Sequence, residues 1–346
     1  VKRPTVLLLS LLLGGCQLGY YGHLVSGHRQ LMAARVPVAQ VLEDPQLSPE
    51  IRHKLELSRT LRDFAATALA LPVEDAYSDY VALGRDWATW NLFAAPPLSL
   101  AAKQWCYPIV GCASYRGYFD QQRADRDADK LRANGLEVYA GGAIAYSTLG
   151  WFDDPLTTPM LAGSDAGFAE LLFHELAHRR FYLKGDTRFN ESLATAVGRA
   201  GARQWLVSQG QDEAPLLARF AEREAARQQV LGLVGNTRDA LSRLYQSDLE
   251  DAEKQQRRDQ LRAQLRRDYL DALAVTPALA GYRHWFDGPL NNAQLATLAD
   301  YEALVPGFNA LLEQCEDDWA CFWQAVERIA AEPAEQRNHR LENPDA

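Results

Sequence analysis

The stretch FHELAHRRFYLKGDTRFNESLATAVG, residues 173–198, carries two of the chain's seven histidines. They stand four positions apart with Glu175 between them, and Glu191 follows after a short break. An α-helix turns by about 100° and rises by about 1.5 Å per residue, so His174 and His178 differ by about 40° in direction and about 6 Å along the axis. Both imidazoles can then reach one metal ion. The surroundings favour a helix over 164–183: Ser164 or Asp165 can cap it, and Phe168, Leu171, Leu172, Leu176 and Phe181 give it apolar faces wide enough for burial. Lys184-Gly185 is expected to close it, with the glycine in a left-handed turn. Asn190 is then expected to cap a second helix over 190–208, which returns antiparallel and holds Glu191 in its first turn.

That arrangement predicts a metal. Two histidines and two glutamates in a buried helix pair need compensation, and one Zn²⁺ ion supplies it. The pattern H-E-x-x-H sets two histidine ligands beside a glutamate that acts as general base. With Glu191 as the third ligand, a fourth position stays open for water, the mark of a catalytic rather than a structural site.

Outward from this stretch the chain reads as mainly α with a small β-sheet, an α+β class. Ser48 and Pro49 suit the cap and first turn of a helix. Residues 86–123 are rich in aromatics, proline and glycine and predict short strands and loops, with a helix over 117–133. In 136–150 the alternation of Val138, Ala140, Ile144, Tyr146 and Thr148 predicts a strand pair or a kinked strand. Gly141-Gly142 there suggests a bulge or a close backbone approach. Gly142, Ala143 and Ile144 are candidates to bind substrate backbone as an added strand; a plain edge strand reads equally well. The remainder is helical, and PAEQRNHRLENPDA reads as a frayed tail. The division expected is a signal segment over 1–15, a connector over 16–36, one large domain over 37–335 and a tail over 336–346.

The start of the chain, VKRPTVLLLSLLLGGCQ, has two cationic residues and then an apolar run over 6–13 that is too short to span a bilayer. Leu13-Gly14-Gly15-Cys16 resembles a bacterial lipobox, with Cys16 as the lipidated residue; a plain signal peptide is the alternative. Gln17 after it points by resemblance to the periplasmic face of the outer membrane, and the protein would meet the membrane only through its lipid. Cys106 and Cys112, and Cys315 and Cys321, fit an oxidising compartment, with three possible pairings and a preference for the two local loops. A net charge of −9 argues against a nucleic-acid partner.

HELAH followed by NESLATAVG resembles the gluzincin class of zinc peptidases. VGCASYRGYFD, AYSTLGWFDDPL and LNNAQLATLADYEALVPGF, with the lipobox, are similar to a family of bacterial lipoproteins described as zinc aminopeptidases. The resemblance implies a zincin-like fold: a strand region, the histidine helix, then a returning helix with the third ligand. It implies hydrolysis of peptide bonds in the envelope, by release of N-terminal residues. The chain departs from broader gluzincins in three ways. Only twelve residues separate His178 from Glu191. Thr195 stands where many relatives have an aspartate that holds a histidine ring, and Asp186 is a candidate substitute. The G-x-M-E-N block is absent, so no glutamate follows Gly141-Gly142 to grip a free amine.

On this reading Glu175 takes the proton of the attacking water and passes it to the leaving amine. Tyr301 is the first candidate and His284 the second for stabilising the oxyanion. Arg179 and Arg180 read as surface residues. An endopeptidase acting on periplasmic proteins, and a scaffold with a structural zinc site, are the alternatives. The intact Glu175 speaks against the scaffold.

Overall fold

The computed structural model describes residues 4–107, 111–148, 151–210 and 214–344, apart from the side chains of 4–17 and 299–301. Its helices are α1 (Pro4–Ala33), α2 (Val38–Val41), α3 (Pro49–Ala68), α4 (Gln121–Ala133), α5 (Asp165–Arg180), α6 (Thr187–Ser208), α7 (Ala214–Gln246) and α8 (Asp251–Val275). They continue through α9 (Arg283–Phe286), α10 (Asn292–Glu302), α11 (Val305–Gln314), α12 (Trp319–Ala330) and α13 (Ala334–Glu342). The strands are β1 (Val36–Pro37), β2 (Asp79–Val81), β3 (Thr89–Ala95), β4 (Trp105–Tyr107), β5 (Gly111–Ala113), β6 (Tyr115–Tyr118), β7 (Glu137–Ala143) and β8 (Leu156–Thr157). The chain is therefore mainly helical with small sheets.

The antiparallel sheet β6-β3-β7 stands before the histidine helix, with β7 on its edge. β3 and β7 pair without interruption from Thr89↔Ala143 to Ala95↔Glu137, so Gly141-Gly142 makes no bulge. The close approach at Gly142 comes from a side chain: a Cβ there would lie 2.1 Å from the Trp87 ring. The strand ends at Ala143. Ile144 and the residues after it leave the sheet, because the alternation that marks them serves the walls of a cleft rather than a ladder.

α5 and α6 form the centre. Ser164 caps α5 by accepting from the Gly167 N–H at 3.1 Å. Phe168, Leu172, Phe173 and Leu176 bury one side of α5 against Phe189, Leu193 and Val197 of α6. The two helices touch most closely at Gly198, where a Cβ would stand 2.6 Å from the Glu170 carbonyl and 3.2 Å from the His174 Cβ. Gly198→Val is expected to destabilise the fold by about 1–3 kcal/mol or more through overpacking, read as a lower urea midpoint. An unchanged midpoint would mean that the helices part without cost.

Several boundaries differ from those the sequence predicts. The helix expected over 117–133 begins at Gln121, because Asp120 caps it and 115–118 pair with β3. α5 stops at Arg180, where Phe181 turns extended; Gly185 does adopt φ +81°, but inside the return loop. α6 starts one turn early, capped by Asp186 rather than Asn190, which leaves Glu191 in its second turn. Within the connector expected over 16–36, Tyr20 and Leu31 of α1 are buried against the body. The tail is not frayed: α13 buries Leu341 in the main core and Arg337 beside it. Of the three cysteine pairings, the structure has Cys106–Cys112, across the β4–β5 ladder, and Cys315–Cys321. No described helix is long and apolar enough to cross a membrane. The apolar run over 6–13 lies within α1.

Candidate active site

The return loop delivers Glu191 through Asn190. The Asn190 Oδ1 accepts from the Leu183 N–H and its Nδ2 donates to the Leu183 carbonyl, both at 2.7 Å. This two-point clamp fixes the six-residue return against α6, and the next residue then points at α5. The sequence places Asn190 at a cap; its actual work is to set the approach of Glu191.

His174 Nε2 and His178 Nε2 lie 3.4 and 3.5 Å from the same oxygen, Glu191 Oε2. All three atoms lie within 4.8 Å of one another. These separations exceed the roughly 2.7–3.2 Å of a good N–H···O bond. The two histidine–glutamate distances match the edge of a tetrahedron, about 3.4 Å, around an ion bound at about 2.0–2.1 Å. The donor set therefore fits a small divalent cation better than it fits a pair of hydrogen bonds. Burial works to raise the Glu191 carboxyl, but the two imidazoles outweigh it and hold the group well below the usual carboxylate range. Burial works to lower the His178 imidazole, and Glu191 outweighs it and pulls it upward. The preference of the site for positive charge is built in.

Glu175 is buried beside this triad. Its carboxyl is raised by burial, against the two histidines, and it is hydrogen-bonded to Ser147 from the segment that follows β7. The His178 Nδ1 is buried with no hydrogen-bond partner among the described residues. Asp186 does not serve it: that side chain caps α6 and pairs with Arg337 of α13. Thr195, at the position expected to carry an aspartate in related enzymes, is buried on the wall of the cleft.

The triad opens into a cleft of about 880 Å³. Gly142 and Ala143 at the end of β7 line it, together with Ile144 just beyond the strand. Tyr115 of β6 and Tyr182 of the return loop, which the sequence does not single out, also line the cleft. Burial, then Glu191, raises both phenols, so each stays protonated and able to donate. Tyr301 belongs to α10, and its side chain lies outside the described residues. His284 is exposed and does not line the cleft, although its neighbour Trp285 does. Arg179, expected at the surface, has a buried side chain that pairs with Asp153 and Glu74 and donates to the Phe152 carbonyl. It anchors the loop behind Glu175.

A family model described as "Putative aminopeptidase" matches residues 19–341, nearly the whole chain. The chain belongs to that family. No curated protein and no solved structure matches it. Membership points to a peptide hydrolase, and the matched span contains every residue of the cluster.

Proposed function

We propose that this protein is a zinc-dependent aminopeptidase of zincin-like architecture, held in the bacterial envelope by a lipid on Cys16. The observation that carries the reading is the convergence of His174, His178 and Glu191 on one point, with Glu175 buried beside it. The two Nε2 atoms and the Glu191 carboxylate would hold the ion. When bound, Zn²⁺ lowers the pKa of a water and polarises a carbonyl.

The protein's own residues would do the rest. Glu175 accepts the proton of the attacking water and returns it to the leaving amine; its raised carboxyl suits both halves of that exchange. Ser147 keeps the carboxyl aimed. β7 has no further strand on its outer side among the described residues, and its end at Gly142 and Ala143 would receive an extended peptide. Tyr115 and Tyr182, which line the cleft, would donate to the oxygen that gains charge. Tyr115→Phe is expected to lower kcat by about 10²–10³-fold with little change in KM. An equal loss in KM alone would make Tyr115 a binding residue instead.

The deciding experiment measures bound zinc in the purified protein, together with cleavage of free and N-acetylated peptides. Zinc near one per chain and preference for free amines support the reading. Equal cleavage of blocked peptides would make it an endopeptidase, and absence of bound zinc after growth in zinc would remove the metal. Anchoring is tested by Cys16→Ser, which should release the protein from the membrane fraction; retention there would contradict it.

A further inference from the structure

One face of the sheet β6-β3-β7 lines the cleft. Along β3, Thr89, Asn91 and Phe93 turn to it, while Leu92 and Ala94 between them are buried on the other face with Ala124 and Ala128 of α4. The ladder sets the cleft-facing residues in cross-strand rows. Tyr115, Phe93 and Tyr139 make one row, and Gly117, Asn91 and Gly141 make the next. Residues two apart on a strand share a face at a spacing of about 7 Å, so the two rows lie side by side. None of these six residues carries a charge.

The second row is a hollow. Beyond its chain neighbours, a Cβ on Gly117 would meet only the Asn91 Oδ1 within 4 Å, at 3.4 Å. At the other end the Tyr139 ring leans over Gly141, 3.3 Å from where a Cβ would stand, and closes the row. The Gly117 end is held by α1, where the Tyr20 hydroxyl donates to the Gly117 carbonyl at 3.0 Å and the Tyr20 ring joins the lining. Along the neighbouring row the rings run on without a gap, with centres 5.6 Å apart for Phe93 and Tyr115 and 6.2 Å apart for Phe93 and Tyr139. Asn91 stands between the two glycines. It is half-buried, and among the described residues its carboxamide makes no hydrogen bond. A carboxamide holds two donors and an acceptor oxygen, and all of them face what enters the hollow. Beyond the effect of burial, the charges of Glu191 and Glu175 reach the Tyr115 phenol and raise it, and Tyr115 stands two positions before Gly117 on the same face. The hollow therefore adjoins the reacting centre.

Resting on the peptidase reading, we propose that the row Gly117–Asn91–Gly141 is the pocket for the side chain of the substrate's first residue, and that it selects tyrosine. The ring takes the space over Gly117 against the aromatic walls, and the phenol exchanges a hydrogen bond with the Asn91 carboxamide. A charged side chain would shed its hydration and meet no opposite charge in either row. An aliphatic one would fill the space but leave the carboxamide without a partner. A planar ring gains from edge and offset contacts with the rings already present.

The test uses the whole protein and two probes with no peptide bond: tyramine, and phenethylamine, which lacks only the hydroxyl. Calorimetry should show tyramine bound about three- to tenfold more tightly, the worth of one hydrogen bond. In Asn91→Leu, which keeps the volume of the side chain, that advantage should fall to one or below. In Gly117→Ala the new methyl stands in the hollow, so both probes should weaken by at least about fivefold. The strand has room for this methyl, so Gly117→Ala keeps the proposal open to refutation even where Asn91→Leu does not fold; thermal midpoints check both. Equal binding of the two probes by the native protein, an advantage that survives in folded Asn91→Leu, or undiminished binding by Gly117→Ala overturns the proposal. A protein that shows the hydroxyl preference yet cuts no peptide keeps the pocket and removes the peptidase reading. One that cuts peptides but releases an N-terminal tyrosine no faster than a phenylalanine keeps the peptidase reading and removes the pocket.

Discussion

Glu175→Gln is expected to abolish peptide hydrolysis, by about 10²–10⁴-fold, while the bound metal stays at the native level. The reasoning separates two neighbouring glutamates by position. Glu175 lies between the histidines in sequence but is not one of the three atoms that converge; its carboxyl is turned to Ser147. Gln keeps the volume and the hydrogen bond to Ser147 and removes only the ability to hold a proton. The ligand set is intact, so metal content and thermal midpoint should match the native protein. If activity survives the substitution, the general base is elsewhere. If metal is lost as well, Glu175 is a ligand and the assignment of Glu191 must be revisited. A structural zinc site has no use for a buried carboxyl at this point, so the same variant also separates an enzyme from a scaffold.

How far the site could be read from the sequence follows contact distance. His174, Glu175 and His178 are related by helical spacing alone, and Glu191 by a short return, so their meeting is a local event. What failed was the detail of that return. Asp186 and Asn190 are both good cap residues, and sequence cannot tell which one caps and which one clamps Leu183. Tyr115 and Ser147 were missed for a different reason. Each comes from another element, and no spacing rule links β6 to α5. Arg223 and Arg227 of α7 fold back on Glu170 of α5, a pairing between elements that no local spacing marks. The docking of the helical tail is not legible in the sequence because PAEQRNHRLE is polar almost throughout; a single leucine, Leu341, and the Arg337–Asp186 pair hold it to the body. Fold class survived these errors because it depends on the periodicity of long helices, which burial in the core enforces.

Glu191→Ala is expected to empty the metal site. Its Oε2 is the atom toward which both imidazoles point, and no other described carboxylate joins them in a group able to hold a metal ion. Two histidines alone leave a site with too few protein ligands for tight binding, so bound zinc in the purified variant should fall to a small fraction of native. Stability should change as well. In the metal-free protein the loss leaves His178 buried without the carboxylate that draws it upward. Breaking a buried pair in this way costs at most about 3–5 kcal/mol, and less where the imidazole can shed its proton. The native protein should gain stability from added zinc, since a ligand that binds only the folded state raises the midpoint. The variant should gain none. That contrast separates the ligand role from packing: Glu191→Gln, which fills the same volume, should restore much of the metal-free midpoint but little of the response to zinc. Full zinc retention in Glu191→Ala would take Glu191 out of the ligand set and leave the convergence of the three side chains as an ordinary buried ion pair.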